Sequence, residues 1–270
     1  MTVVLVTAVF SALLAFVLGS ALGFFKKVFA VQEDPLLGRI REALPGANCG
    51  ACGYPGCDGY AAALAGGNAG PGACSVGGRE TAEKLSAVMG VSAQVIPTVT
   101  VLACQGSRLH TVKRGTYTGL ATCRGAKLAG GTKLCAWGCL GYGDCVKKCK
   151  FDALVLGDNG LPRIDYAKCT GCRLCVAECP QQILKGVPRD QKGALVLCSN
   201  RSPNRQQVSR SCKIACIKCG LCVRNCPQQC IDLSGGVPLV DYAKCTSCGT
   251  CTEKCPTKVF KLFERDLAAV

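Results

Sequence analysis

Cysteine spacing constrains this chain more than any other feature. Cys245, Cys248, Cys251 and Cys255 are followed at once by Pro256, and the same C-x2-C-x2-C-x3-C-P run occurs at Cys169, Cys172, Cys175, Cys179, Pro180 and at Cys216, Cys219, Cys222, Cys226, Pro227. In such a run three thiolates bind one [4Fe-4S] cube and the fourth crosses to a neighbouring cube. One run is compatible with chance or zinc; three in one chain commit the fold to metal thiolates.

The chain has 25 cysteines in 270 residues, a density that in short secreted proteins marks a disulfide scaffold. The length does not suit that class, and four cysteines packed into one short run suit ligands better than bridges. The cysteines are therefore expected to be reduced and to face a reducing compartment. The formal net charge of +15 taken alone would point to nucleic acid or an anionic membrane surface. An oxidised cube with four thiolates carries roughly −2, so five would remove about ten charges and leave a mildly basic holoprotein. What remains would steer an acidic electron carrier. With aromatics at 6% and no stacking pattern, nucleic acid is the secondary reading.

Thr2 to Phe25 contains no charged residue. As a helix it would run roughly 36 Å, enough to span a bilayer. A signal peptide is the alternative, but no Lys or Arg precedes the apolar run and no Ala-x-Ala site follows it. Residues 1–27 are expected to be a single-pass anchor. Lys26, Lys27, Arg39 and Arg41 then place the rest of the chain in the cytoplasm by the positive-inside bias. Ala15, Gly19 and Gly23 repeat at four-residue spacing and leave a smooth face for a membrane partner.

Residues 31–92 read as a small α-rich domain. Asp34 and Pro35 form an N-cap and first turn, Leu36, Leu37, Ile40 and Leu44 line one face, and Pro45-Gly46 stops the helix. The Gly-rich loop that follows carries Cys49, Cys52 and Cys57, and with Cys74 these make a C-x2-C-x4-C-x16-C set. Glycines there let backbone N–H groups approach the sulfurs. Zinc is the rival ligand, although the loop has no His and is not two paired knuckles. Arg79 to Met89 is expected to be a short helix closed by Gly90, and Pro97 with Val99-Thr100-Val101 marks the next boundary.

From there the chain repeats. Ile164-Asp165-Tyr166-Ala167-Lys168-Cys169-Thr170 recurs as Val240-Asp241-Tyr242-Ala243-Lys244-Cys245-Thr246, 76 residues on, and Cys135, Cys139, Cys145, Cys149 map onto Cys212, Cys216, Cys222, Cys226 at an offset of 77. Two tandem modules result, residues 98–188 and 193–265, each the size of a two-cluster ferredoxin with an extension. The extensions also begin alike, Val101-Leu102-Ala103-Cys104 resembling Val196-Leu197-Cys198. In the second module Cys216, Cys219 and Cys222 are expected to share a cube with Cys255, and Cys245, Cys248 and Cys251 one with Cys226. In the first, Tyr142 occupies the place of Cys219, so Cys135 is expected to stand in. That gives Cys135, Cys139, Cys145 with Cys179, and Cys169, Cys172, Cys175 with Cys149. Lys150 replaces the proline found after the other runs, which predicts an altered loop and a shifted potential.

Five cysteines are left: Cys104, Cys123, Cys198, Cys212 and Cys230. The first four leave two readings open, a sixth cube bridging the modules or ordinary buried packing. His110 is the single histidine, and no G-x-G-x-x-G or G-x-x-x-x-G-K-[ST] phosphate loop appears. The chain is thus expected to hold at least five [4Fe-4S] clusters, a series of one-electron centres, and no substrate-transforming site of its own.

The anchor, the Asn48-Cys49-Gly50-Ala51-Cys52-Gly53-Tyr54-Pro55-Gly56-Cys57 loop and the cysteine runs together resemble the family of the Rnf complex B subunit, part of the ion-translocating ferredoxin:NAD oxidoreductase. The likeness covers essentially the whole chain and is most specific from Asp34 to Cys74. It is similar to the long form, with two ferredoxin modules. The resemblance implies an α+β fold and a single-pass protein of the inner membrane with its clusters in the cytoplasm. It implies electron receipt from soluble reduced ferredoxin and relay to the other Rnf subunits (A, C, D, E and G type), with NAD reduction coupled to Na+ or H+ movement. The rival assignments are a polyferredoxin of a hydrogenase or other membrane dehydrogenase, and a zinc or iron–sulfur nucleic-acid-binding protein.

Overall fold

The computed structural model describes residues 2–29, 34–93, 96–190 and 192–263. The expected domain limits at residues 31 and 265 lie outside these. Helix α1, Thr2–Val28, contains an apolar stretch, Val4–Val28, of mean hydropathy 2.3 that none of the described residues buries. Its length and composition suffice to cross a membrane, and Lys26 and Lys27 sit in its last turn.

Three helices follow. α2, Pro35–Ala43, is capped by Asp34, whose carboxylate accepts the Leu36 N–H at 2.9 Å. α3, Gly56–Ala65, and α4, Gly78–Met89, pack with it so that Ile40, Tyr60, Leu64 and Leu85 are sealed from solvent. α4 ends where expected, at Gly90 in the left-handed conformation (φ 70°). The buried Tyr60 hydroxyl donates to the Gly70 carbonyl at 2.6 Å, tying the segment before Cys74 to this core.

The remainder is two copies of one plan. In the first copy β1, Thr98–Leu102, is followed by α5 (Cys123–Leu128), α6 (Asp144–Lys148), β2 (Leu154–Leu156), β3 (Pro162–Ile164), α7 (Leu174–Glu178) and β4 (Leu184–Pro188). In the second, β5 (Ala194–Val196) precedes α8 (Arg205–Ser211), α9 (Leu221–Arg224), β6 (Ile231–Asp232), β7 (Leu239–Val240), α10 (Thr250–Lys254) and β8 (Phe260–Leu262). Each copy pairs its first strand antiparallel with its last, Thr98 opposite Pro188 and Ala194 opposite Leu262, and closes a short hairpin between them. The strands are too short to hold a sheet alone. The core spans the copies: Leu195 and Phe263 of the second pack with Val99, Leu154 and Leu184 of the first, and Phe263 meets Tyr166 edge-on at 5.1 Å.

Two backbone details repeat with the cysteines. The short helices α6, α7, α9 and α10 each begin after a left-handed residue, Gly143, Arg173, Gly220 and Gly249, which turns the chain so that a run's third cysteine enters the first helical turn. Three residues past each run's last cysteine stands another left-handed residue, Asp152, Gln182, Gln229 and Lys258, all with φ near +50°. The altered loop expected after Cys149 is therefore not found. Proline fixes a φ that lysine also adopts, so Lys150 gives up rigidity and keeps the shape.

Candidate functional site

All 25 cysteines are free thiols, and the fold gathers 24 of them into fours. In the N-terminal unit Asn48 sets the loop: its side-chain oxygen accepts the Cys57 N–H at 2.7 Å, and a side chain at Gly56 would come within 2.9 Å of that oxygen. Burial chiefly pushes the Cys74 thiol up; Gly77 N–H, 3.4 Å from its sulfur, opposes this, and Cys52, Cys57 and Cys49 add to it as neighbours. These four are the set expected from the loop spacing.

The second ferredoxin copy forms two sets. Cys216 is pushed up to about 11, mainly by burial, with Cys198, Cys222 and Cys255 as neighbouring thiols, and Cys222 in turn feels Cys219 and Cys255. Cys226, Cys245, Cys248 and Cys251 line one cavity. Cys230 lines it too, a fifth thiol whose sulfur is 3.5 Å from that of Cys226. Cys248 is exposed at the surface. The last cysteine of each run thus sits with the other run's first three, the crossed arrangement that its spacing predicts.

In the first copy Cys175 is raised by burial first, with Cys172, Cys169 and Cys149 as neighbours. Its other set departs from expectation. One cavity is lined by Cys123, Cys139, Cys145 and Cys179. Cys145 there is pushed up to about 12 by burial, then by Cys139, Cys123 and Cys179. A separate cavity is lined by Cys104, Cys135, Cys198 and Cys212, and burial with those three neighbours takes Cys135 to about 11. Cys123 and Cys135 have exchanged the places given to them from sequence. Asp144 explains the exchange: its carboxylate accepts the Cys123 and Arg124 N–H groups at 2.8 and 3.3 Å, which docks the start of α5 beside the loop where Tyr142 leaves a ligand missing. Thr122 caps the same turn through Gly125 N–H at 3.1 Å. Cys135 faces the other copy, where Asn200 Nδ2 lies 3.6 Å from its sulfur.

Neutral buried thiols must lose protons to bind metal, so assembly of such a site releases protons and depends on pH. Among the described residues no three His, Cys, Asp or Glu side chains close tightly enough on one point to hold a single ion. The thiols instead surround cavities. His110 takes no part; its ring nitrogen shares a hydrogen bond with Ser107 Oγ at 2.7 Å.

Three family models match: an Fe-S cluster model at residues 44–76, a 4Fe-4S binding domain at 162–185 and a 4Fe-4S dicluster domain at 215–259. The chain is 45% identical over 231 residues to the B subunit of the Na(+)-translocating ferredoxin:NAD(+) oxidoreductase complex of Acetobacterium woodii, covering 84% of this chain and 68% of that one. It is 36% identical to the B subunit of the ion-translocating oxidoreductase complex of Methanosarcina acetivorans, over 75% of this chain and 77% of that one. It is 38% identical to the B subunit of the proton-translocating ferredoxin:NAD(+) oxidoreductase complex of Clostridium ljungdahlii, over 89% and 85%. With identities and coverage of this order, and with Fe-S and 4Fe-4S models on its cysteine sets, the chain belongs to the family of B subunits of ion-translocating oxidoreductase complexes, the Rnf family.

Proposed function

We propose that this chain is the membrane-anchored electron relay of an ion-translocating ferredoxin:NAD oxidoreductase. Reduced ferredoxin supplies the electrons, and the other proteins of the complex carry them on to NAD as Na+ or H+ moves. One observation carries this: cysteines gathered in fours around cavities, next to one another, in a chain with an apolar N-terminal helix. The donors are all thiols and do not converge on a single ion, which suits [4Fe-4S] cubes and argues against zinc. When bound, each cube takes up and gives back one electron. Five sets serve as ligands in this reading: Cys49, Cys52, Cys57, Cys74; Cys149, Cys169, Cys172, Cys175; Cys123, Cys139, Cys145, Cys179; Cys216, Cys219, Cys222, Cys255; and Cys226, Cys245, Cys248, Cys251.

Neighbouring sets give the relay its order. Ala51, Ala73 and Ser75 of the N-terminal unit face Gly171, Cys172 and Arg173 across one cleft. Cys145 and Cys175, from two different sets, share a core with Cys169. In the second copy Cys216, Cys222, Cys251 and Cys255 share another. The exposed Cys248 marks the end open to a soluble donor, and the N-terminal set lies next in sequence to α1. With Lys26 and Lys27 at the C-terminal end of the apolar stretch, the thiol-bearing part lies on the cytoplasmic side of the cell's inner membrane. Protein purified anaerobically in detergent should be brown, carry at least about 20 iron atoms and as much acid-labile sulfide, and bleach on addition of reduced ferredoxin. A colourless protein containing zinc would overturn the proposal.

A further inference from the structure

The long loop between β1 and α5 of the first copy builds a cleft whose lining holds no cysteine. Backbone bonds order it: Arg114 N–H donates to the Thr132 carbonyl and Leu134 N–H to the Val112 carbonyl, both at 2.9 Å, which sets Lys113 opposite Lys133 in a short antiparallel bridge. Arg108 N–H donates to the Asn159 carbonyl at 2.9 Å and fastens the start of the loop to the β2–β3 hairpin. There the arginine side chain crosses Gly160, where an added Cβ would come within 2.6 Å of Arg108 Nε. The space enclosed is about 320 Å³, in the size range of small-molecule sites.

Its charge is one-sided. The exposed Arg108 and Lys113 and the buried Lys133 line it, and no carboxylate does. None of the three forms an ion pair with a described residue. Lys133 is only 6% exposed, and of the three N–H donors on its ammonium one goes to the Gly106 carbonyl at 2.9 Å. Buried charge is costly unless compensated. The rest of the lining is of another kind. Tyr117 and Tyr142 meet edge-on at 5.8 Å and present an aromatic surface, with Thr116 and Thr132 adding hydroxyls. Three cations without acids call for several negative charges on one ligand, and the paired tyrosines for a flat apolar group beside them.

We propose that this cleft binds a small aromatic phosphate of nucleotide size, its phosphate held by Arg108, Lys113 and Lys133 and its ring set against Tyr117 and Tyr142. Recognition is by side chains, since the sequence has no phosphate loop. Binding has a consequence that rests on the relay reading. Leu140 and Gly141 line both this cleft and the cavity of Cys123, Cys139, Cys145 and Cys179, so a bound dianion lies across them from that set. Negative charge there makes a cube harder to reduce, and the ligand acts as a brake on the first copy.

The test uses the full chain, purified anaerobically in detergent, with adenosine monophosphate as the probe and inorganic phosphate as the control. Equilibrium dialysis should find one saturable site for the nucleotide and weaker binding of phosphate. Arg108→Met and Lys113→Met, at exposed positions where the fold is kept, should each weaken the nucleotide about tenfold. Tyr142→Ala should weaken the nucleotide and leave phosphate alone. No saturable binding, binding unmoved in both methionine variants, or phosphate as tight as the nucleotide would overturn the site. In a redox titration, saturating nucleotide should lower the potential of one cube in wild type and of none in Arg108→Met; potentials unmoved in both would overturn the braking role. A brown protein that binds no nucleotide would leave the relay standing without the site, and nucleotide binding by protein that holds neither iron nor sulfide would leave the site standing without the relay.

Discussion

The two ferredoxin copies solve one problem with different parts. In the second, a continuous run supplies Cys216, Cys219 and Cys222, and the loop between them is short enough to set all three sulfurs unaided. In the first, Tyr142 fills the place of Cys219 and stacks edge-on with Tyr117 at 5.8 Å, while Cys123 comes in from α5, upstream of the run. That import needs a fastening. Asp144 provides it, and its counterpart in the second copy is Leu221, which has no such task. A set of four thiols is thus completed despite the loss of one from its run, because another segment brings a thiol to the same cavity and a carboxylate holds that segment by its backbone.

The largest contrast should appear at the crossover cysteines. Cys149→Ser removes a thiol of the proposed cluster set that no neighbour can replace, because the residue matching Cys230 is Ala153. It should cost about four iron atoms and loosen the whole first copy, whose small apolar core leans on its metal sites. Cys226→Ser should keep its iron, since the Cys230 sulfur lies 3.5 Å from that of Cys226 and lines the same cavity. Iron analysis and thermal melts of both variants check this. Equal losses would show that Cys230 is packing alone.

A smaller and reversible effect is expected at the imported ligand. Cys123→Ser should lose about four iron atoms from the first copy. Adding Tyr142→Cys restores the second copy's spacing and should bring the iron back. If Cys123→Ser keeps full iron, Cys123 is not a ligand; if Tyr142→Cys fails to rescue it, the copies differ in more than the source of one thiol.

Much of this is legible in the residues alone, for a physical reason. A cube demands several thiolates at fixed reach, and a run such as Cys245 to Pro256 delivers them from local chain alone, so spacing reveals it. The α1 span and the helix ending at Gly90 are likewise written in short-range pattern. The exchange of Cys123 and Cys135 is not. Cys123 lies in an extension whose counterpart at the repeat offset is Asn200, so periodicity says nothing of where it folds, and its docking depends on a tertiary bond to Asp144. A signal does exist for Cys135. Its match to Cys212 at the offset of 77 requires both to do the same work, which excludes Cys135 as a substitute for Cys219.

The finest difference between the copies is one residue after a cysteine. Cys179 and Cys255, each followed by proline, have φ/ψ of −74°/108° and −76°/118°. Cys149, followed by Lys150, has −74°/117°. That is the extended conformation a residue before proline must take, so the first copy already holds the shape that proline would impose. Lys150→Pro should then act on the unfolded chain, removing freedom it would otherwise lose on folding, and stabilise by about 0.4–1 kcal/mol without touching iron content. The potential of the set completed by Cys149 should not move, because neither thiol nor backbone is displaced. A destabilised Lys150→Pro variant, measured by denaturant titration of the holoprotein, would mean that Lys150 serves the turn through its N–H or side chain and that the copies differ there after all.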